Sequence, residues 1–125
     1  MTPGIRVLAL DHVQLAMPAG AEERARAFYR DVLGFEELEK PASMQASGGA
    51  WFRSGEVEIH LGVEADFRPA RKAHPALGVA DADAAAARWA ALGCGVEWDD
   101  RYPGVRRFYV HDPFGNRIEI LQPVP

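Results

Sequence analysis

Glu58-Ile59-His60-Leu61 recurs in pattern, though not in identity, as Arg117-Ile118-Glu119-Ile120, and this recurrence decides the fold. Each stretch alternates with the period of two that a β-strand needs. Val57, Ile59 and Leu61 point one way while Glu58 and His60 point the other. Ile118 and Ile120 share a face that Glu119 opposes. The two stretches lie about 60 residues apart, and the same period continues on either side of them.

Upstream of the first stretch, an apolar run from Ile5 to Met17 turns at Asp11 into alternation. Val13, Leu15 and Met17 fall on one strand face; His12, Gln14 and Ala16 fall on the other. Pro18-Ala19-Gly20 turns the chain. Ala25, Phe28, Tyr29, Val32 and Leu33 then follow the spacing of one buried helical stripe, with Glu22 and Glu23 in the first turn and Gly34 at the end. Strands are predicted at 35–40, 50–53 and 57–63, with Ser47-Gly48-Gly49 and Ser54-Gly55 as turns. The second half repeats this order. A strand is predicted at 74–79, then a helix capped by Asp81 or Asp83, with Ala85, Trp89 and Leu92 as its stripe and Gly93 as its stop. Strands follow at 96–98, 107–110 and 117–121, and Asp112-Pro113-Phe114-Gly115-Asn116 turns between the last two. His111 precedes that turn and is expected in a loop. Phe67 to Lys72 connects the halves. The expected architecture is α+β. A single domain over 1–125 holds two βαβββ modules, about 5–66 and 73–122, forming a cupped mixed sheet with helices on the outer face.

Composition agrees with one compact domain and excludes several functions. The chain has 125 residues, 48% of them apolar, which suffices for one continuous core. Fourteen Lys and Arg against eighteen Asp and Glu give a net charge of −4, and no basic run is present, so nucleic acid is not an expected partner. The single cysteine, Cys94, excludes an intrachain disulfide and a cysteine-based zinc cluster. Residues 1–6 lack the features of a secretory signal, and no apolar run approaches a membrane span; a cytoplasmic location is expected.

Three of the four histidines fall at duplicated landmarks: His12 and His74 near the starts of the first strands, His60 on a last strand. The fourth equivalent position carries Glu119. If the halves bring their non-helix faces together, His12, His60, His74 and Glu119 converge. Three imidazoles and one carboxylate suit a divalent ion of the Zn, Fe, Mn, Ni or Co type. Gln14 shares the His12 face. Arg107 and Tyr109 alternate with Phe108 and Val110, and Trp51, Phe52 and Trp98 are candidate pocket walls. Gln14, Trp51, Arg107 and Tyr109 are the residues expected to meet a substrate.

At these positions the sequence resembles the vicinal oxygen chelate superfamily, which includes glyoxalase I, fosfomycin- and bleomycin-resistance proteins and extradiol dioxygenases. Leu10-Asp11-His12-Val13 resembles its first metal-bearing strand. Phe28-Tyr29-Arg30-Asp31-Val32-Leu33-Gly34-Phe35 resembles its helix-ending signature. His74-Pro75-Ala76-Leu77 resembles the start of its second module, and Asp112 to Glu119 its closing segment. The resemblance implies paired modules cupped around a metal held at His12, His74 and Glu119, and a homodimer acting on a small molecule. His60 stands where glyoxalase I-like enzymes carry a glutamate that is both ligand and general base. It is the candidate catalytic residue here, as an imidazole in place of that carboxylate. The implied function is a metal-dependent enzyme acting on a small oxygenated substrate. The alternative is a metal-free protein that sequesters an antibiotic or small metabolite.

Overall fold

A computed structural model describes residue 2 and residues 4–125; Met1 and Pro3, part of the expected domain range and of the N-terminal reading, lie outside the described residues. The element order is that of two βαβββ modules. The first runs β1 (Val13–Met17), α1 (Glu22–Ala25) continuing as a π-helical turn (Arg26–Arg30), β2 (Glu36–Leu38), β3 (Ala50–Ser54) and β4 (Val57–Val63). A 3-10 helix, Ala42–Ser47, precedes β3. The second module runs β5 (Ala76–Gly78), α2 (Ala82–Ala91), β6 (Glu97–Asp99), β7 (Val105–His111) and β8 (Arg117–Pro123).

Each module forms its own four-stranded mixed sheet, ordered β1-β4-β3-β2 and β5-β8-β7-β6. β1 runs parallel to β4 and β5 parallel to β8; the other pairs are antiparallel. The sheets are not closed onto each other: β1 and β5 are each the first strand of their sheet, with one partner apiece.

Both helices leave through a glycine with positive φ, Gly34 (77°) and Gly93 (79°), a region where a side chain is strained and glycine is not. Asp81 caps α2, its carboxylate accepting from the Ala84 N–H. The buried stripe of α2 is Ala82, Ala86 and Trp89. The expected stripe was offset: Ala85 is half-buried, and Leu92, already past the helix at its C-cap, is exposed. In the first helix Ala25, Phe28 and Tyr29 are buried, but Leu33 N–H reaches back to Phe28 O, five residues earlier. This wide turn leaves no trace in the hydrophobic period, which reports only an average helix.

Three other expectations shift. His111 is not in a loop but ends β7, paired with Arg117. β5 begins after Pro75, which has no N–H to donate. β1 begins at Val13, and the apolar residues before it (Ile5, Val7, Leu8 and Leu10) are 79–96% exposed.

The modules share one core. Tyr29 stacks on Phe52 at 5.5 Å, and Phe28, Trp89 and Phe108 continue the aromatic chain into the second module. The strongest polar tie between the modules lies in the Asp112–Asn116 turn. Asp112 is buried and accepts from the Tyr29 hydroxyl (2.7 Å), the Phe114 and Asn116 N–H groups (2.9 Å each) and the Asn116 amide (2.9 Å). Asn116 also donates to Ala16 O on β1 and accepts from the Ala70 N–H in the connection. The turn residues therefore close a hairpin and at the same time bind the second module to the first. Burial, with the Asp112 charge, pushes the Tyr29 phenol well above its usual value, which keeps it a donor.

Candidate metal centre

The parity that buries Ile59 and Leu61 turns Glu58 and His60 to the opposite face of the first sheet. His60 is held there on three sides. Its ring lies between Trp51, its cross-strand neighbour (3.9 Å, 5° between planes), and His12 (4.0 Å, 15°). Its Nε2 donates to Glu58 Oε2 at 2.7 Å. Glu58 thus joins the expected residues. His12, Glu58 and His60 each offer a donor atom, and these atoms lie within 4.8 Å of one another, close enough to hold a metal ion.

His12 sits just before β1 and is the more open member, with 39% of its side chain exposed against 5% for His60. Its Nδ1 faces Asp11 Oδ2 at 2.8 Å, so the neutral ring keeps its lone pair on Nε2. Imidazole lone pairs lie in the ring plane. Two stacked rings direct them side by side, so closing on one ion requires the exposed His12 ring to turn.

The second module carries a more rigid pair. His74 Nδ1 donates to the Lys72 carbonyl at 2.7 Å, an acceptor only, which places the neutral ring's lone pair on Nε2. That Nε2 lies 2.9 Å from Glu119 Oε1. A lone pair facing a carboxylate oxygen is stable only with a positive centre between them, a proton or a metal ion. Glu119 is buried, and its Oε2 accepts from Arg107 Nη1 at 3.2 Å. Arg107 in turn donates to Asp99 through Nε and Nη2. Burial works against the Asp99 charge. The Arg101 N–H and the Arg107 and Arg101 guanidinium groups outweigh it and hold the carboxyl at about 2.

The remaining candidates divide by sheet. Gln14 and Trp51 border a small cleft beside the 3-10 helix, where the Gln14 amide lies over Gly62; a Cβ at residue 62 would come within 2.5 Å of it. Tyr109 presents its ring edge-on to His74 at 5.5 Å, and Arg107 shares its face on β7. Phe52 belongs to the core, and Trp98 packs against Phe108 on the opposite face from Arg107. His12, Glu58 and His74 line one cleft of about 640 Å³ with Val13, Ile59 and Leu77.

His12 and His60 meet, and so do His74 and Glu119. Among the described residues the three-donor cluster is the first module's, so the four expected ligands stand as two pairs. By donor chemistry both pairs fit a divalent ion. Glu58 was missed in the sequence, although sharing the parity of His60 is the signal that would have found it. Asp99 had no such signal, because β6 is shifted one residue from its expected place.

Comparison with known proteins agrees with this architecture. The family model for the Glyoxalase/Bleomycin resistance protein/Dioxygenase superfamily matches residues 9–120. A glyoxalase family protein from Bacillus anthracis is 46% identical, superposes with a TM-score of 0.94, and is covered over 100% of its length by 98% of this chain. An antibiotic binding protein from Streptomyces is 26% identical (TM-score 0.72; 94% of this chain, 100% of that one). A fosfomycin resistance protein from Listeria monocytogenes shares the fold at 19% identity (TM-score 0.76; 95% and 96%). No curated protein matches the chain. With most of its length matched by the family model and by a relative of near-identical fold, the chain belongs to the glyoxalase/bleomycin resistance protein/dioxygenase superfamily.

Proposed function

We propose that the chain is a metal-dependent enzyme that acts on a small oxygenated substrate chelated through one or two oxygens. His12, His60, His74 and Glu119 are the ligands, and Glu58 is an added carboxylate. The observation that carries this reading is the His74–Glu119 contact, in which a carbonyl fixes the tautomer that aims Nε2 at a carboxylate oxygen. A bound divalent ion of the Zn, Fe, Mn, Ni or Co type supplies Lewis acidity toward a substrate oxygen.

The chain's own residues supply the rest. His60, held between Trp51 and His12 with its Nε2–H on Glu58, accepts or returns a substrate proton through Nδ1 once that nitrogen is released from the metal. Glu58 restores the carboxylate that position 60 lacks. Trp51 and Tyr109 wall the substrate, and Gln14 and Arg107 give it polar contacts. A second copy of the chain is the partner, and the exposed apolar residues Ile5, Val7, Leu8 and Leu10 support that assembly. Sedimentation is expected to show a dimer; monomer alone at working concentration removes this part.

The test is elemental analysis of protein purified without chelators, followed by stoichiometric addition of each metal and the same assay on His74→Ala. A chain that carries no metal and gains none overturns the proposal. A second reading, sequestration of a small molecule without turnover, is favoured by the flat Trp51 platform beside the Gln14 cleft. Saturable quenching of tryptophan fluorescence by a ligand, without metal and without product, selects it.

A further inference from the structure

The second module's half-site has an outer layer that the ligand set does not explain. Arg107 touches Glu119 through one nitrogen only and commits its other two to Asp99, at 3.3 and 3.0 Å. The guanidinium also lies 5.3 Å from the ring centroids of both Tyr102 and Tyr109. Asp99 and Arg107 are cross-strand partners on β6 and β7, so the backbone register sets their pairing. Side-chain exposure is 12% for Asp99, 13% for Arg107 and 6% for Glu119, so water screens this chain of charges poorly.

The arrangement has an electrostatic consequence. The hydrogen bond from Arg107 fixes Glu119 Oε2 and leaves Oε1 to His74, which favours a ligating carboxylate. The same guanidinium carries a full positive charge, which opposes any cation held by Oε1. A carboxylate on the far side of the guanidinium, that of Asp99, which also binds the exposed Arg101, offsets part of that opposition and keeps the hydrogen bond.

Resting on the metal reading above, we propose that Asp99 is a positioning residue for the metal centre. It anchors Arg107 against Glu119 and offsets the charge Arg107 brings there.

Zinc alone serves as the probe, titrated calorimetrically into the full chain, with the visible spectrum of the cobalt-loaded protein as a second readout. Asp99→Asn is expected to weaken zinc binding roughly tenfold and to perturb the cobalt spectrum. Asp99→Glu keeps the charge and is expected to stay within about twofold of the starting affinity. In an Arg107→Met background, Asp99→Asn is expected to have no further effect on zinc, because the guanidinium that touches Glu119 is gone and the other partner of Asp99, Arg101, has 74% of its side chain exposed to solvent.

Equal losses in both backgrounds overturn the proposal, since Asp99 then acts independently of Arg107. So does an unchanged affinity in Asp99→Asn, or a loss in Asp99→Glu as large as that in Asp99→Asn. Metal-free melting curves separate these outcomes from misfolding, and the Asp99→Glu arm stands if the asparagine variant does not fold. If the unsubstituted chain binds no zinc or cobalt, the metal reading has failed and this inference fails with it. Normal binding without the Asp99 effect overturns the inference alone.

Discussion

The two modules repeat one topology but hold their polar residues differently. In the second, His74 is anchored by a backbone carbonyl, Glu119 by Arg107, and Arg107 by Asp99, so every donor has a fixed neighbour behind it. In the first, His60 is clamped between rings, but His12 is partly exposed, bonded to the adjacent Asp11, and stacked on His60 so that its ring has to turn before the two share an ion. One half-site is preorganised and the other must move. The difference follows from the flanking chain. His74 is followed by Pro75, whose carbonyl accepts from the Glu119 N–H, whereas His12 follows a segment whose apolar residues Ile5, Val7, Leu8 and Leu10 are exposed.

The contrast between the two half-sites depends most on the tie that joins the modules. Asp112→Ala leaves the Tyr29 hydroxyl, the Phe114 and Asn116 backbone N–H groups and one Asn116 amide N–H without their acceptor, and is expected to cost about 3–5 kcal/mol. Urea unfolding checks the value. A single transition shifted as a whole means the modules are one cooperative unit, and two transitions mean the half-sites stand alone.

Next in size is the rigid pair. Glu119→Gln removes the charged ligand and leaves the Arg107 charge facing the ion without its carboxylate, and zinc affinity is expected to fall by roughly 100-fold or more. His12→Ala removes the more open ligand and is expected to cost only about tenfold, because binding through His12 already includes the cost of turning its ring. Calorimetry on both variants side by side tests the asymmetry, and equal losses erase it.

The smallest effect is one of acid stability. Asp99 is held at about 2 in the folded chain, below its ordinary 3.8. Its contribution is therefore complete above the unfolded value and is lost as pH falls through the folded one, between about 4 and 2. Asp99→Asn is expected to flatten that stretch of the acid-denaturation curve, measured as urea midpoints across the window. An unaltered slope removes Asp99 from the charge chain.

The duplication was legible because each half writes the same signals. Gly34 and Gly93 end helices at positive φ, and the parity around Ile59 and Ile118 sorts core from open face. The offset of the α2 stripe, the π-helical turn at Arg26–Arg30 and the strand ending at His111 were not legible, because each is settled by what packs against it. The site shows the same division. Residue type and parity nominated His12, His60, His74 and Glu119 and were enough to add Glu58, which shares the parity of His60, while Asp99 emerged from its contact with Arg107.

Two repeated modules, the face on which each polar residue stands and the turn at Asp112–Asn116 follow from the amino-acid order, because they depend on strand period and local backbone preference. Packing between distant segments set the four expected ligands as two pairs, one held by fixed partners on every side and one with a partly exposed member. It also decided that a buried carboxylate ties one module to the other. Those outcomes depend on distances between residues far apart in the chain, which packing sets and sequence spacing does not.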